Sequence, residues 1–347
     1  MSPATHNAWL NRFAWFTATA TLLLICSGGM VTSKGVGLAV PDWPTTFGYN
    51  MFLFPISKWV GGIFFEHTHR LIASTVGFLT IILAVWIWRA DSRRWVRRLG
   101  IFALAAVILQ GVLGGLRVTL LKDEIGIFHA CLAQGFFGLL VFIAVATSRR
   151  WNAAAPGNTV GGSVLSVARL AVFTAIAVYV QLTLGATMRH QHRDLAILDF
   201  PTANGQWIPD TGPAAIAAIN HWRDTQALSD VTAFQIWLQM VHRFGAVLVA
   251  IASIATWSAV RKSNQNALPL PRLSNVLVTL VACQIALGAW TIWSNKAADI
   301  ATAHVAVGAT IFAVTVALCA MAFRLSYLGA RTQSTAAVIQ PREAVAQ

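Results

Sequence analysis

Four histidines carry the chemistry that this sequence offers. His69 sits in "EHTHR" (66–70), His129 in "FHACLA" (128–133), His242 in "VHR" (241–243) and His304 in "AHVAVG" (303–308). Each stands at the head of a long apolar stretch. Imidazole ligates iron, copper and zinc. Two helices that each offer one histidine at the same depth suit a flat ligand between them, above all a haem with an imidazole on each face. Zinc or copper is the competing metal, but two histidines without cysteine or acidic partners make a poor zinc set. The remaining histidines are weaker candidates. His67 lies about 200° around a helix from His69, so the two do not easily share a site. His6 falls in a tail, and His190, His192 and His221 fall in what reads as a solvated loop.

The elements that must position these residues are membrane spans. The chain has 347 residues, 56% of them hydrophobic and only 11% charged. Soluble domains carry roughly a quarter charged residues, so the bilayer is the main solvent here and the bulk of the chain is not disordered. We read an all-α polytopic protein with spans at 14–34, 63–89, 99–119, 127–148, 166–189, 234–260, 273–293 and 301–323. The first apolar run is longer than the core of a cleaved signal peptide. The formal net charge of +13 does not call for nucleic acid, because the basic residues sit in short loops. Arg89, Arg93, Arg94, Arg97, Arg98, Arg149, Arg150, Arg261 and Lys262 all fall on one side. The positive-inside bias makes that side cytoplasmic. Both termini are then cytoplasmic, and the long connections 35–62 and 190–233 lie outside, next to the four histidines.

The chain also repeats itself. "EHTHRLIASTVGFLTI" (66–81) returns as "QMVHRFGAVLVAIASI" (239–254), "QGVLGGL" (110–116) as "QIALGAW" (284–290), and "FHACLAQGFF" (128–137) as "AHVAVGATIF" (303–312). The outer loops echo as well, "GLAVPDWP" (37–44) against "DLAILDFP" (194–201), with an insertion after the second turn. Two four-helix halves follow, 1–150 and 165–325, with a tail at 326–347. An even number of spans per half makes a parallel repeat about an axis along the membrane normal. Gly111, Gly114 and Gly115 in span three match Gly288 in span seven, and Gly185 lies in span five. Small residues let helices or a macrocycle approach closely.

The halves differ at one telling position. Glu66 and His69 are three residues apart and share a helix face, whereas the residue corresponding to Glu66 is Gln239. A carboxylate in an apolar span is a functional feature by default. It is available as a base or as a partner for developing positive charge. Pairing with Arg70 is the plainer role, and the two can coexist. The first half is therefore assigned chemistry and the second a prosthetic group. Two other classes compete. A di-haem b-type cytochrome, passing electrons to or from quinone, has no need of the Glu66–Gln239 difference. A transporter predicts broken helices and polar groups near the midplane, whereas the polar cluster here sits at the outer ends. Cys26, Cys131, Cys283 and Cys319 all fall inside spans and read as packing residues.

Taken together these motifs resemble the haem A synthase family, membrane enzymes of terminal oxidase assembly. The resemblance rests on the Glu-x-x-His-Arg of "EHTHR", the "VHR" of span six, the histidines heading spans four and eight, "GLAVPDWP", and "LDFPTANGQWIP" at 198–209. It implies oxidation of the C8 methyl of haem O to a formyl group, giving haem A, with water as the oxygen source. It implies a substrate haem held by the first half with Glu66, His69 and His129, and haem b in the second half with His242 and His304, all four histidines being axial iron ligands. It implies haem O synthase as substrate donor, terminal oxidase subunit I or assembly factors as acceptor, a bacterial cytoplasmic membrane, and room for a homo-oligomer. Many members carry a cysteine pair in the first outer loop. Here "AVPDWPTTFG" (39–48) has none, so any role of that pair, in loop rigidity or in redox chemistry, must be absent or met otherwise. Arg117 at the outer end of span three is placed either to meet a haem propionate or to snorkel to the interface.

Overall fold

The computed structural model describes residues 7–154, 161–191, 195–263 and 269–343. They form ten α-helices: α1 (Ala8–Ser33), α2 (Gly61–Ala90), α3 (Arg94–Leu120), α4 (Asp123–Ala146), α5 (Arg149–Ala153), α6 (Gly161–Gln191), α7 (Pro213–Thr225), α8 (Ala233–Lys262), α9 (Leu270–Trp293) and α10 (Ala298–Glu343). All but α5 and α7 are long and apolar enough to cross a membrane. A helix satisfies every backbone group within itself, which hydrocarbon demands. Polar caps mark where two of the spans begin. Asn7 accepts from the Leu10 N–H at 3.0 Å, and Thr232 with Gln235 forms a reciprocal capping box at the head of α8.

The eight spans pack as two rings of four. α1, α2, α3 and α4 contact one another in cyclic order, and so do α6, α8, α9 and α10. The rings meet where α1 and α4 pack against α10, and α4 also against α6. The main core lies along this seam, from Leu140, Ala144 and Val145 of α4 to Ala309, Ala313 and Leu318 of α10. Without a hydrophobic drive between helices in lipid, close packing must hold them. At Gly138 of α4 even a methyl group would reach within 2.6 Å of Phe312 on α10.

Two features differ from the sequence reading. The insertion in the second outer loop is a helix, α7, tied down by Asn220. Its side chain donates to the Val231 carbonyl at 3.0 Å and accepts the Val231 N–H at 2.8 Å. Arg223 of this helix is buried at 1% exposure, donating to the carbonyls of Ser229 and Leu195. His190 is not in a solvated loop either. α6 continues through it, and its ring packs beside Gly126 of α4.

Candidate functional site

His69, His129, His242 and His304 lie within the first three turns of α2, α4, α8 and α10, at the ends that the charge pattern puts outside. Each is met by a glycine on the preceding span. A Cβ added to Gly28 would lie 2.9 Å from Cε1 of His69, and one on Gly114 would lie 3.3 Å from Cε1 of His129. The distances are 3.3 Å for Gly185 and His242, and 3.2 Å for Gly288 and His304. Every ring therefore rests against bare backbone, which only glycine provides. The Nδ1 atoms of His69, His129 and His304 are buried without a hydrogen-bond partner.

The ring centres of His242 and His304 are 6.4 Å apart. Two imidazoles on opposite sides of one metal ion, each bonded at about 2.0–2.1 Å, place their centres roughly 6 Å apart. The pair thus has the spacing of two axial ligands. Among the described residues no three His, Cys, Asp or Glu side chains converge as a metal site. A pair of imidazoles falls short of the four ligands of a zinc site, whereas a haem brings its remaining ligands with it, so the pair fits a haem better than bare zinc.

Glutamines brace three of the four histidine helices. Gln110 donates to the His129 carbonyl at 3.0 Å, Gln284 to that of His304 at 2.9 Å, and Gln181 to that of His242 at 2.7 Å. Gln181 also sits 3.1 Å from Nδ1 of His242. The sequence reading missed these residues, although a signal was present. "QGVLG", "QLTLG" and "QIALG" each place a glutamine four residues before the cradle glycine, on the same helix face. In α1 the corresponding residue is Leu24. Gln181 fits only because residue 245 is glycine, since a Cβ there would strike its side-chain oxygen. The matching position in α2 is Ile72.

Glu66 and Gln239 both reach outward to hold a loop. Glu66 is 4% exposed. Its Oε2 accepts the Val40 N–H at 2.9 Å and its Oε1 accepts from Arg70 at 2.8 Å. Gln239 accepts the Ile197 N–H and donates to the Ile197 carbonyl, both at 3.0 Å. Arg70 then spends its other donors on the carbonyls of Val40, Asp42 and Thr45. Arg243 does the same for Asp199 and Thr202. Asp42 closes the first loop by accepting from Thr45, Phe47 and Gly48, and Asp199 closes the second from Thr202, Asn204 and Gly205. Burial pushes both carboxyls up, but these hydrogen bonds outweigh it and hold them below the ordinary carboxylate range. Gly48 and Gly205 both take φ of 77°, the left-handed turn these knots need. His67, fully buried, packs on Phe54 and Trp59 with Nδ1 3.2 Å from the Thr46 hydroxyl. It belongs to the loop and not to the histidine pairs. Trp43 lies flat against α3 at Gly115, one residue from the His129 cradle.

The cytochrome oxidase assembly protein family matches residues 49–316. "Heme A synthase" of Shouchella clausii is 32% identical over 256 residues, covering 71% of this chain and 81% of the relative. "Heme A synthase" of Rhizorhabdus wittichii is 29% identical over 352 residues, covering 90% and 94%. That of Bacillus licheniformis is 25% identical over 311 residues, covering 86% and 91%. These matches lend no support to the di-haem electron-transfer alternative. With eight apolar helices among the described residues and bacterial relatives such as these, this is a multi-pass membrane protein of bacterial type. The chain belongs to the haem A synthase family of cytochrome oxidase assembly proteins.

Proposed function

We propose that this protein is a haem A synthase. It oxidises the C8 methyl of haem O to a formyl group in the α1–α4 half, and its α6–α10 half carries haem b. The observation that carries this reading is the single charge difference between two otherwise matched clamps, Glu66 in one and Gln239 in the other. A protein that only passes electrons has no use for it. The relatives' shared name points the same way.

In this reading His69 and His129 hold the substrate iron from two faces, and His242 and His304 hold haem b. Haem supplies one-electron redox chemistry when bound. The conversion of methyl to formyl takes up one water and releases four electrons and four protons, so it is an oxidoreductase reaction with an external electron acceptor. Glu66 offers the fixed negative charge beside the substrate. Both its oxygens are already engaged by Val40 and Arg70, which suits it to stabilise developing positive charge without reorganising. Proton abstraction requires it to release one of those partners. Trp43 and the clamped loop shield the outer side of the site from water. Both termini are cytoplasmic, the haem sites face the outer side of the cytoplasmic membrane, haem O synthase supplies the substrate, and terminal oxidase subunit I or its assembly factors accept the product. A homo-oligomer is compatible with the lipid-facing spans.

The test is haem extraction from the purified protein, with and without co-expressed haem O synthase, read by chromatography and mass. Haem A only with the synthase establishes the activity. Haem b alone in both, at two equivalents per chain, replaces it with the electron-transfer cytochrome.

A further inference from the structure

Three basic groups gather at the outer ends of the spans near the seam: Arg117 at the end of α3, and Arg189 and His190 at the end of α6. Arg189 is committed to the α1 backbone, donating to the Gly29 carbonyl and the Ser33 hydroxyl. Arg70 and Arg243 are committed to the loops. Arg117 alone among these arginines makes no side-chain hydrogen bond or ion pair with any described residue. It is nevertheless not free in solvent. A Cβ on Gly37 would lie 2.9 Å and 3.0 Å from its two terminal nitrogens, and one on Gly126 would lie 3.1 Å from its Nε. His190 stands on the same glycine, with Nδ1 2.8 Å from that Cβ. Two glycines thus shape a slot for one guanidinium with an imidazole beside it. Its charge acts on His69 and His129. The carboxylates of Glu66 and Asp123 act on it only through space. The corresponding position in the other half is Thr291, so the slot belongs to one histidine pair only.

A half-buried guanidinium with open donors is costly until an anion fills its fork. The fork matches a carboxylate in two parallel hydrogen bonds. We propose that Arg117, with His190 beside it, binds a carboxylate of the ligand held by His69 and His129. Arg117 thereby fixes the rotation of that ligand within its own plane. The inference rests on reading this half as the substrate site, where the carboxylate is a propionate of haem O. Both propionates lie on one edge of the macrocycle, so gripping that edge decides which ring methyl is turned towards Glu66. Arg117 is a positioning residue in this account.

The test compares two forms of the ligand. Full-length protein carrying its resident haem is titrated in detergent with haem O and with haem O dimethyl ester, and binding is read from the absorption spectrum. Wild type should bind the free acid about tenfold to a hundredfold more tightly, the worth of a charge-assisted hydrogen bond or two. Arg117→Leu should erase the preference, binding the acid as weakly as wild type binds the ester. Arg117→Lys should keep part of it. Equal binding of acid and ester by wild type overturns the proposal without any variant. So does equal weakening of both forms by Arg117→Leu, which would mean that the guanidinium serves the fold or a lipid phosphate. His129→Ala separates the two levels. If it binds haem O like wild type, the substrate-site reading is wrong and Arg117 falls with it. If it loses haem O while Arg117→Leu still prefers the acid, only the Arg117 assignment is wrong.

Discussion

α2 and α8 present the same sequence of tasks along one face. A residue clamps the outer loop, a histidine turns inward one turn later, and an arginine reaches back to the loop carbonyls. The clamp is Glu66 in one and Gln239 in the other, and the backbone group each holds is the equivalent N–H, of Val40 or of Ile197. Holding the loop therefore does not require a charge. What the carboxylate adds is an ion pair with Arg70 and a charge that Arg117 feels through space. Around that shared frame the neighbours diverge in opposite directions. The α1–α4 half has Arg117, where the other has Thr291. The α6–α10 half has Gln181 over Gly245, where the first has Leu24 and Ile72. One half is furnished with charges and the other with an extra brace on its histidine helix, as expected if one ligand is transformed and the other stays.

The comparison breaks most sharply at the histidines. His242→Ala or His304→Ala should abolish the low-spin haem b spectrum of the purified protein, while His69→Ala leaves it in place. A full haem b spectrum in the first pair of variants would refute the ligand assignment. Next in size is Glu66→Gln, which copies the other half's clamp. It should keep haem content and loop order but lower haem A formation by about a hundredfold or more. Unimpaired formation would reduce Glu66 to a clamp.

Gln181→Leu copies the other half's Leu24 and should act in the milder range of one lost side-chain hydrogen bond, about 1 kcal/mol. The expected sign is a shifted midpoint potential or a broadened haem b band with haem retained. An unchanged potential and band would show that the brace is packing alone. The smallest effect concerns both loops together. Asp42 and Asp199 titrate below their ordinary range when folded, so their stabilisation is complete above the unfolded carboxylate range. It fades as pH falls through the folded values. Amide exchange at Phe47, Gly48, Asn204 and Gly205 should rise together in acid. A rise at one loop only would show that the knots are not equivalent.

Much of this was legible in the sequence, for identifiable reasons. Apolar length declares a span without any tertiary information, so the eight crossing helices were within reach. Repetition singled out His69, His129, His242 and His304. Contacts between elements far apart in sequence were not legible. Nothing local says that Glu66 reaches Val40, that Trp43 lies on Gly115, or that Gly28 seats His69. The α7 helix was hidden because its brief apolar pattern is anchored by Asn220 and Arg223 reaching other segments. His190 was misplaced because polar residues at the end of a span look like loop. The glutamines were missed for a simpler reason: their spacing from the cradle glycines repeats three times, but in helices whose function the histidines do not mark.

The outer clamps are built wholly from hydrogen bonds and one ion pair, and all four cysteines are free thiols within the spans. No bond that shapes the first loop is open to reductants or awaits an oxidant. Biogenesis of this outer surface then needs no thiol-oxidising machinery. Thiol reductants should leave the loop as ordered as they find it. The fold of the clamped loop is thereby independent of thiol redox chemistry.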